Sequence, residues 1–195
     1  SHGVAVAGEI AAVAGNGIGG VGVAYDATLA SVYIDLSEAA TDADVNAGFT
    51  AVLEQAVTSY DVVNNSWGYS GVFHNFNDAA SQGVSEALTN AVTNGRDGLG
   101  TIVVFAAGND REKDYDANAD NLTNSPYTIT VAAIDNAGKV SSYSTPGASI
   151  LVAAPSSSDY YTLETIVIPA ANEDEEDQII QEWVPHTYGE VVTSD

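Results

Sequence analysis

Apolar positions along the chain follow two patterns. Short unbroken runs read as buried strands: Asp61-Val62-Val63-Asn64-Asn65, Thr101-Ile102-Val103-Val104-Phe105, Thr128 to Ala133, and Ile150 to Ala154. Val21 to Ala24 and Thr28 to Ile34 are also apolar and predict further strands. Elsewhere the apolar residues recur at helical spacing. Val45, Phe49, Val52, Leu53, Ala56 and Val57 do so between Asp42 and Tyr60, with an acidic start that suits the helix dipole. Val84, Ala87, Leu88, Ala91 and Val92 do so between Gly83 and Asn94, and Gly95-Arg96-Asp97-Gly98 supplies a glycine stop. His2 to Ala14 is small or apolar on every face, with Glu9 its one charge, and predicts a buried helix. Gly15-Asn16-Gly17-Ile18-Gly19-Gly20 breaks it. Strands alternating with helices predict an α/β fold with a mainly parallel sheet.

Two stretches depart from this alternation. Residues 110–125 read as a polar, acidic loop, and from Pro155 the pattern decays into an acidic insertion or mobile loop over 155–190. The run Asn172-Glu173-Asp174-Glu175-Glu176-Asp177 at its centre reads as solvated chain.

Composition narrows the partners. The 195 residues hold 27 acidic against 4 basic side chains, a formal charge of −23, which excludes nucleic acid because phosphate binding needs lysine and arginine. The same charge favours cations or cationic substrates. Cysteine is absent, so disulfides and thiol catalysis are excluded. No run of about eighteen apolar residues predicts a membrane span. The chain starts abruptly at Ser1-His2-Gly3, without a methionine or a signal peptide, and is expected to be cut from a longer protein.

Candidate chemistry collects where strands end. Ala106-Ala107-Gly108-Asn109-Asp110 follows the strand at 101–105, and ligands of open α/β sheets bind at that carboxyl edge. An asparagine there can direct its NH₂ at a developing negative charge, although Gly-Asn is also a common turn. His2 stands at a helix N-terminus, where the dipole favours a neutral imidazole suited to general-base work; it would need a nucleophile and an orienting carboxylate. Gly15-x-Gly17-x-x-Gly20 matches a dinucleotide fingerprint in letters only, since a helix precedes it and a strand follows. Two glycosylation sequons occur, Asn64-Asn65-Ser66 and Asn121-Leu122-Thr123, the first on a predicted buried strand.

Taken together, several motifs resemble the subtilisin-like serine proteases, the subtilases. Ser1-His2-Gly3-Val4-Ala5-Val6-Ala7-Gly8-Glu9-Ile10-Ala11-Ala12 is similar to their histidine motif, Val63-Asn64-Asn65-Ser66-Trp67-Gly68 to their substrate-binding strand, and Phe105-Ala106-Ala107-Gly108-Asn109 to their oxyanion motif. Thr123 to Ala133 followed by Tyr143-Ser144-Thr145-Pro146-Gly147 is similar too, and Gly8 to Ala12, Gly20 to Tyr25 and Gly95-Arg96-Asp97 resemble the kexin/furin-like branch. The resemblance covers about residues 1–154 and a short tail at 191–195 that resembles the segment leading to the nucleophile motif. It implies a doubly wound, mainly parallel sheet with helices on both faces, here truncated. It implies His2 as general base and Asn109 as oxyanion donor. Ser66, Trp67 and Gly68 would pair with the backbone of a polypeptide substrate added as a strand.

In that branch the glycine loop holds a structural calcium ion, and the matching positions are Val13, Asn16, Ile18 and Gly20, an oxygen-only set suited to calcium. Asp120 matches an acidic residue that receives arginine or lysine before the cut; the acidic pair after Trp-Gly is replaced by Tyr69-Ser70-Gly71, and a glutamate by Thr145. No Gly-Thr-Ser nucleophile motif occurs, and the triad aspartate of the family lies upstream of the histidine. The 195 residues alone are therefore expected to be inactive. The parent is expected to be a secreted bacterial endopeptidase with a propeptide or accessory domain. Two other functions stay open: a pseudo-protease or protein-binding module on the same fold, and an unrelated α/β ligand-binding domain. An aspartate upstream and Gly-Thr-Ser downstream would decide for the enzyme over the first. Reaction of the full-length protein with a fluorophosphonate would argue against the second.

Overall fold

The computed structural model describes residues 2–34, 36–37, 41–69, 71–74, 81–168 and 178–188. Its centre is a four-stranded parallel sheet of β1 (Val62–Asn65), β2 (Ile102–Ala106), β3 (Ile129–Ile134) and β4 (Ile150–Pro155), in that spatial order. Val63 pairs with Val103, Phe105 with Thr130, and Val131 with Val152. Because all four strands run the same way, their carboxyl ends share one edge. The segments starting at Ser66, Ala107, Asp135 and Ser156 all leave the sheet there.

The helices follow from the apolar spacing. After α1 (His2–Ala11) come α2 (Asp42–Ser59) and α3 (Gln82–Gly98). Phe49, Leu53 and Ala56 of α2 and Val84, Leu88 and Ala91 of α3 pack side by side with Val63, Val103 and Phe105 in one buried cluster. Phe49 meets Phe105 edge to face at 5.7 Å and Trp67 at 5.2 Å, geometry that adds about 0.5–1.5 kcal/mol per pair beyond the buried area. Strand alternation turns Val62 and Ile102 to the other face, where both are exposed.

The helix ends have specific causes. Thr41 caps α2: its backbone N–H donates to Asp44 Oδ2 at 2.9 Å, and its Oγ1 accepts from the Asp44 N–H. At the other end, Thr101 Oγ1 lies 3.1 Å from the Ala56 carbonyl and 3.2 Å from that of Tyr60. The regular part of α3 stops before Gly95, as predicted, and the predicted Gly95-Arg96-Asp97-Gly98 stop includes a glycine of positive φ, Gly98 at 91°. Gly95 itself has φ −62°, and the residues of positive φ are Arg96, Asp97 and Gly98. Glycine is needed at 95 because a Cβ would stand 2.2 Å from Thr101 Oγ1.

Three expectations are corrected. Residues 28–34 join no strand among the described residues; they are largely exposed, and only Ile34 packs toward Gly48 of α2. Residues 22–24 are not a strand either: the N–H groups of Gly22, Val23 and Ala24 donate to the carbonyls of Ala12, Glu9 and Ile10, closing the end of α1. No residue of α1 is buried, and α1 is not part of the core cluster that α2 and α3 form on the sheet. Within the 155–190 segment lies an antiparallel pair that the sequence reading did not predict, β5 (Ser158–Ile168) and β6 (Gln178–Tyr188), with Ser158 opposite Tyr188 and Ile168 opposite Gln178. The signal was Thr162, Thr165, Ile166, Val167 and Ile168 in one segment and Ile179, Ile180, Val184 and Thr187 in the other, β-branched residues masked by the acidic background. The acidic run 172–177, Ser70 and the 191–195 tail lie outside the described residues.

Candidate active site

The site is built on the carboxyl edge of β1 and β2. β2 is followed by buried Ala107, whose N–H donates to the Val131 carbonyl at 2.9 Å. Gly108 then turns with φ 99°, and a Cβ there would meet Thr145 Oγ1 at 2.9 Å, so both conformation and space require glycine. Thr145 holds the turn on both sides: its N–H donates to the Gly108 carbonyl at 3.0 Å, and its Oγ1 accepts the Asp110 N–H at 2.9 Å. Arg111 fastens the next residue, its Nε donating to the Ser144 carbonyl at 2.8 Å. Asn109 sits inside this clamp with its side chain exposed. A fixed backbone carrying an exposed amide is what a preorganised anion donor requires.

On the adjacent strand, Asn65 is paired with Phe105, so Ser66 emerges beside Ala106. Buried Asn65 ties the two strands, its Nδ2 donating to the Val104 carbonyl at 3.0 Å while its Oδ1 accepts the Trp67 Nε1–H at 3.1 Å. Those bonds hold Trp67 against Phe105, ring centres 5.6 Å apart. Ser66 is exposed, and a Cβ on Gly68 would meet nothing within 4 Å, so an open lane runs along this segment.

Asp120 reaches the same neighbourhood through a contact that the sequence did not predict. His74 pairs with Asp120 in an isolated parallel bridge: the His74 N–H donates to the Ala119 carbonyl at 3.0 Å, and the Asn121 N–H to the His74 carbonyl at 3.2 Å. Asp120 Oδ1 accepts the Leu122 N–H at 2.7 Å. Burial pushes the Asp120 carboxyl above its ordinary range, opposed by the Leu122 N–H and by the charge of His74. No linear spacing advertises His74, because the bridge joins two loops far apart in the chain.

His2 is the first residue of α1 and is exposed; its helix is fastened to residues 22–24. The expected metal positions lie on the loop between. Gly15, Gly17 and Gly19 all have positive φ, Val13 and Ile18 are exposed, and Asn16 Oδ1 accepts the Ile18 N–H at 2.9 Å. That oxygen keeps a second lone pair, so the donor set of one amide and three carbonyls suits a hard cation in kind. Four neutral oxygens are short of the six to eight that calcium takes. Among the described residues no cluster of three or more His, Asp or Glu side chains completes a metal site.

The sequence profile of the subtilase family matches residues 1–183. The chain belongs to the subtilase family. It is 38% identical over 167 residues to a dibasic-processing endoprotease of Yarrowia lipolytica, covering 84% of this chain and 16% of that protein. It is 37% identical over 156 residues to furin of Homo sapiens, covering 80% of this chain and 19% of furin. The chain thus spans less than a quarter of the length of these relatives. Among solved structures, a protease of Pseudoalteromonas arctica superposes with a TM-score of 0.61 at 28% identity, covering 93% of this chain and 53% of that one. Subtilase membership makes this a serine-peptidase fold, and the α/β parallel sheet agrees with it. Among the described residues no helix is long and apolar enough to cross a membrane.

Proposed function

We propose that the intact protein is a serine endopeptidase that hydrolyses polypeptides by acyl transfer. The clamped Gly108–Asn109 turn beside the open Ser66–Gly68 lane is the observation that carries this reading. A peptide lying along that lane would present its scissile carbonyl near the β2 edge. A serine would attack the carbonyl carbon while His2 takes the hydroxyl proton, and Asn109 would donate its amide N–H to the oxyanion. His2 would then return the proton to the leaving amine, and water would release the acyl group by the same route. The serine and the aspartate that orients His2 are assigned to sequence outside these 195 residues, since no Gly-Thr-Ser occurs within them. Asp120, with the acidic surroundings of its loop, favours substrates with a basic residue before the cut.

Calcium is part of the proposal. The Val13, Asn16, Ile18 and Gly20 oxygens would supply four of its ligands, and the ion would stiffen the loop that follows α1.

The intact protein should react with a fluorophosphonate and cleave arginine peptides, and His2→Ala should abolish both. Asn109→Ala should lower kcat by about 10²–10³, the loss known for the oxyanion asparagine of subtilisin, another family member. The 195-residue chain alone should turn over no peptide ester. Absence of labelling in the intact protein would leave a pseudo-protease.

A further inference from the structure

We infer that Thr145 is a positioning residue for the oxyanion donor: it holds the peptide groups on both sides of Asn109, and so sets the direction in which that side chain leaves the backbone. This rests on the proposed role of Asn109.

The direction of a side chain follows from its own φ and ψ, the rotations of the two flanking peptide planes about Cα. On one side of Asn109 the plane carries the Gly108 carbonyl, and on the other the Asp110 N–H. Thr145 binds both. Its N–H donates to the Gly108 carbonyl at 3.0 Å, and its Oγ1 accepts the Asp110 N–H at 2.9 Å. Because one residue makes both bonds, the two planes cannot turn far relative to each other without breaking one of them. The packing leaves little slack: Thr145 is buried, and Gly108 has no room for a Cβ beside Thr145 Oγ1.

The segment that carries Thr145 is itself fixed. Arg111 fastens it from the loop after Asn109, its N–H donating to the Tyr143 carbonyl at 3.2 Å and its Nε to the Ser144 carbonyl at 2.8 Å. Residue 133 at the end of β3 fastens it from the sheet: the Ala133 N–H donates to buried Ser144 Oγ at 3.1 Å, and the Ala133 carbonyl accepts the Ser141 N–H at 2.9 Å. The Ala117 N–H donates to the Pro146 carbonyl at 2.8 Å. Thr145 therefore passes the rigidity of the sheet edge to Asn109, whose own side chain is exposed. Without Oγ1 the Asp110 N–H loses its acceptor, and the turn is free to swing that group toward water. The Asn109 amide moves with it. An oxyanion donor acts in the transition state, so the loss falls on kcat and leaves KM in place.

The test uses the intact protein and an arginine peptide anilide, with kcat counted per site labelled to completion by a fluorophosphonate. Thr145→Val keeps the shape and removes the hydroxyl. It should lower kcat by about 10- to 100-fold, up to the loss that follows a misplacement of about 1 Å, with KM unchanged. Thr145→Ser, which restores an acceptor at the same atom, should recover most of the loss. In an Asn109→Ala background, Thr145→Val should change kcat by less than about twofold, because the group it positions is gone. Thr145→Ala gives the same comparison with a smaller side chain should valine not be accommodated. An unchanged kcat per labelled site in Thr145→Val or Thr145→Ala overturns the inference. So does an equal loss with and without Asn109, which would make Thr145 a structural residue only, and so does a loss that serine fails to recover. An Asn109→Ala protein that keeps the wild-type kcat overturns the role of Asn109, and this inference with it. Wild type that takes no label overturns the peptidase reading itself.

Discussion

Asp120 shows how one side chain can be kept at a cost to the fold. Its carboxyl is half-buried, and burial raises it above the ordinary value of 3.8 despite the Leu122 N–H and the nearby imidazole. A raised carboxyl favours the folded state fully below the ordinary value, and that contribution is lost as pH rises through the folded value. Ionised Asp120 therefore opposes folding at neutral pH. Asp120→Asn keeps an oxygen to accept the Leu122 N–H and removes the charge. Thermal melts should give the variant an equal or higher Tm at pH 7, by up to a few degrees, with the difference vanishing below about pH 4. Its cleavage of arginine peptides should fall over the same pH range. A variant that melts clearly lower at pH 7 would mean that the carboxylate is structural.

At the scale of elements, α1 stands apart from the packed layers. It is closed at its end by three N–H groups from residues 22–24, and the glycine loop lies between those fixed points. An ion in the loop would restrain the element that carries His2. Melts with millimolar calcium against a chelator should show a higher Tm with calcium. Asn16→Ala, which removes the one side-chain oxygen of the set, should lose most of that difference. Equal melting of the wild type in both buffers would remove calcium from the account. In contrast, α2 and α3 owe their position to the stripe that faces Val63, Val103 and Phe105.

Charge acts on the molecule as a whole. Of the few basic groups, Arg96 pairs with Asp61 at 3.1 Å and Lys113 with Asp110 at 2.7 Å, both exposed enough to contribute little. The Asp110 carboxylate holds Lys113 above its ordinary range by a hydrogen bond and by its charge. A formal charge of −23 leaves strong self-repulsion in the folded state. Screening shortens from about 30 Å at 0.01 M salt to about 8 Å at 0.15 M. Tm should therefore rise with sodium chloride over that range. A Tm that falls or stays constant would show that local ion pairs outweigh the net repulsion. The same charge would draw basic peptides toward the sheet edge at low salt.

The strands β1 to β4 and helices α1 to α3 were legible because their signals are local: apolar runs and helical spacing within one segment. The glycine requirement at 108 and the asparagine beside it were legible as well, in the motif at the end of β2. Residues 28–34 misled because an apolar run records the wish to be covered, while pairing depends on a neighbour elsewhere in the chain. The β5–β6 pair was missed because acidic residues interrupt its β-branched runs. What the amino-acid order determined alone was the set of elements and the chemistry at their ends. Tertiary structure decided which ends meet: it set Ser66 beside Ala106 through parallel register, locked Asn109 with a threonine from another loop, and brought His74 to Asp120. Those contacts join residues distant in sequence, and only the closing of the sheet brings them within bonding reach.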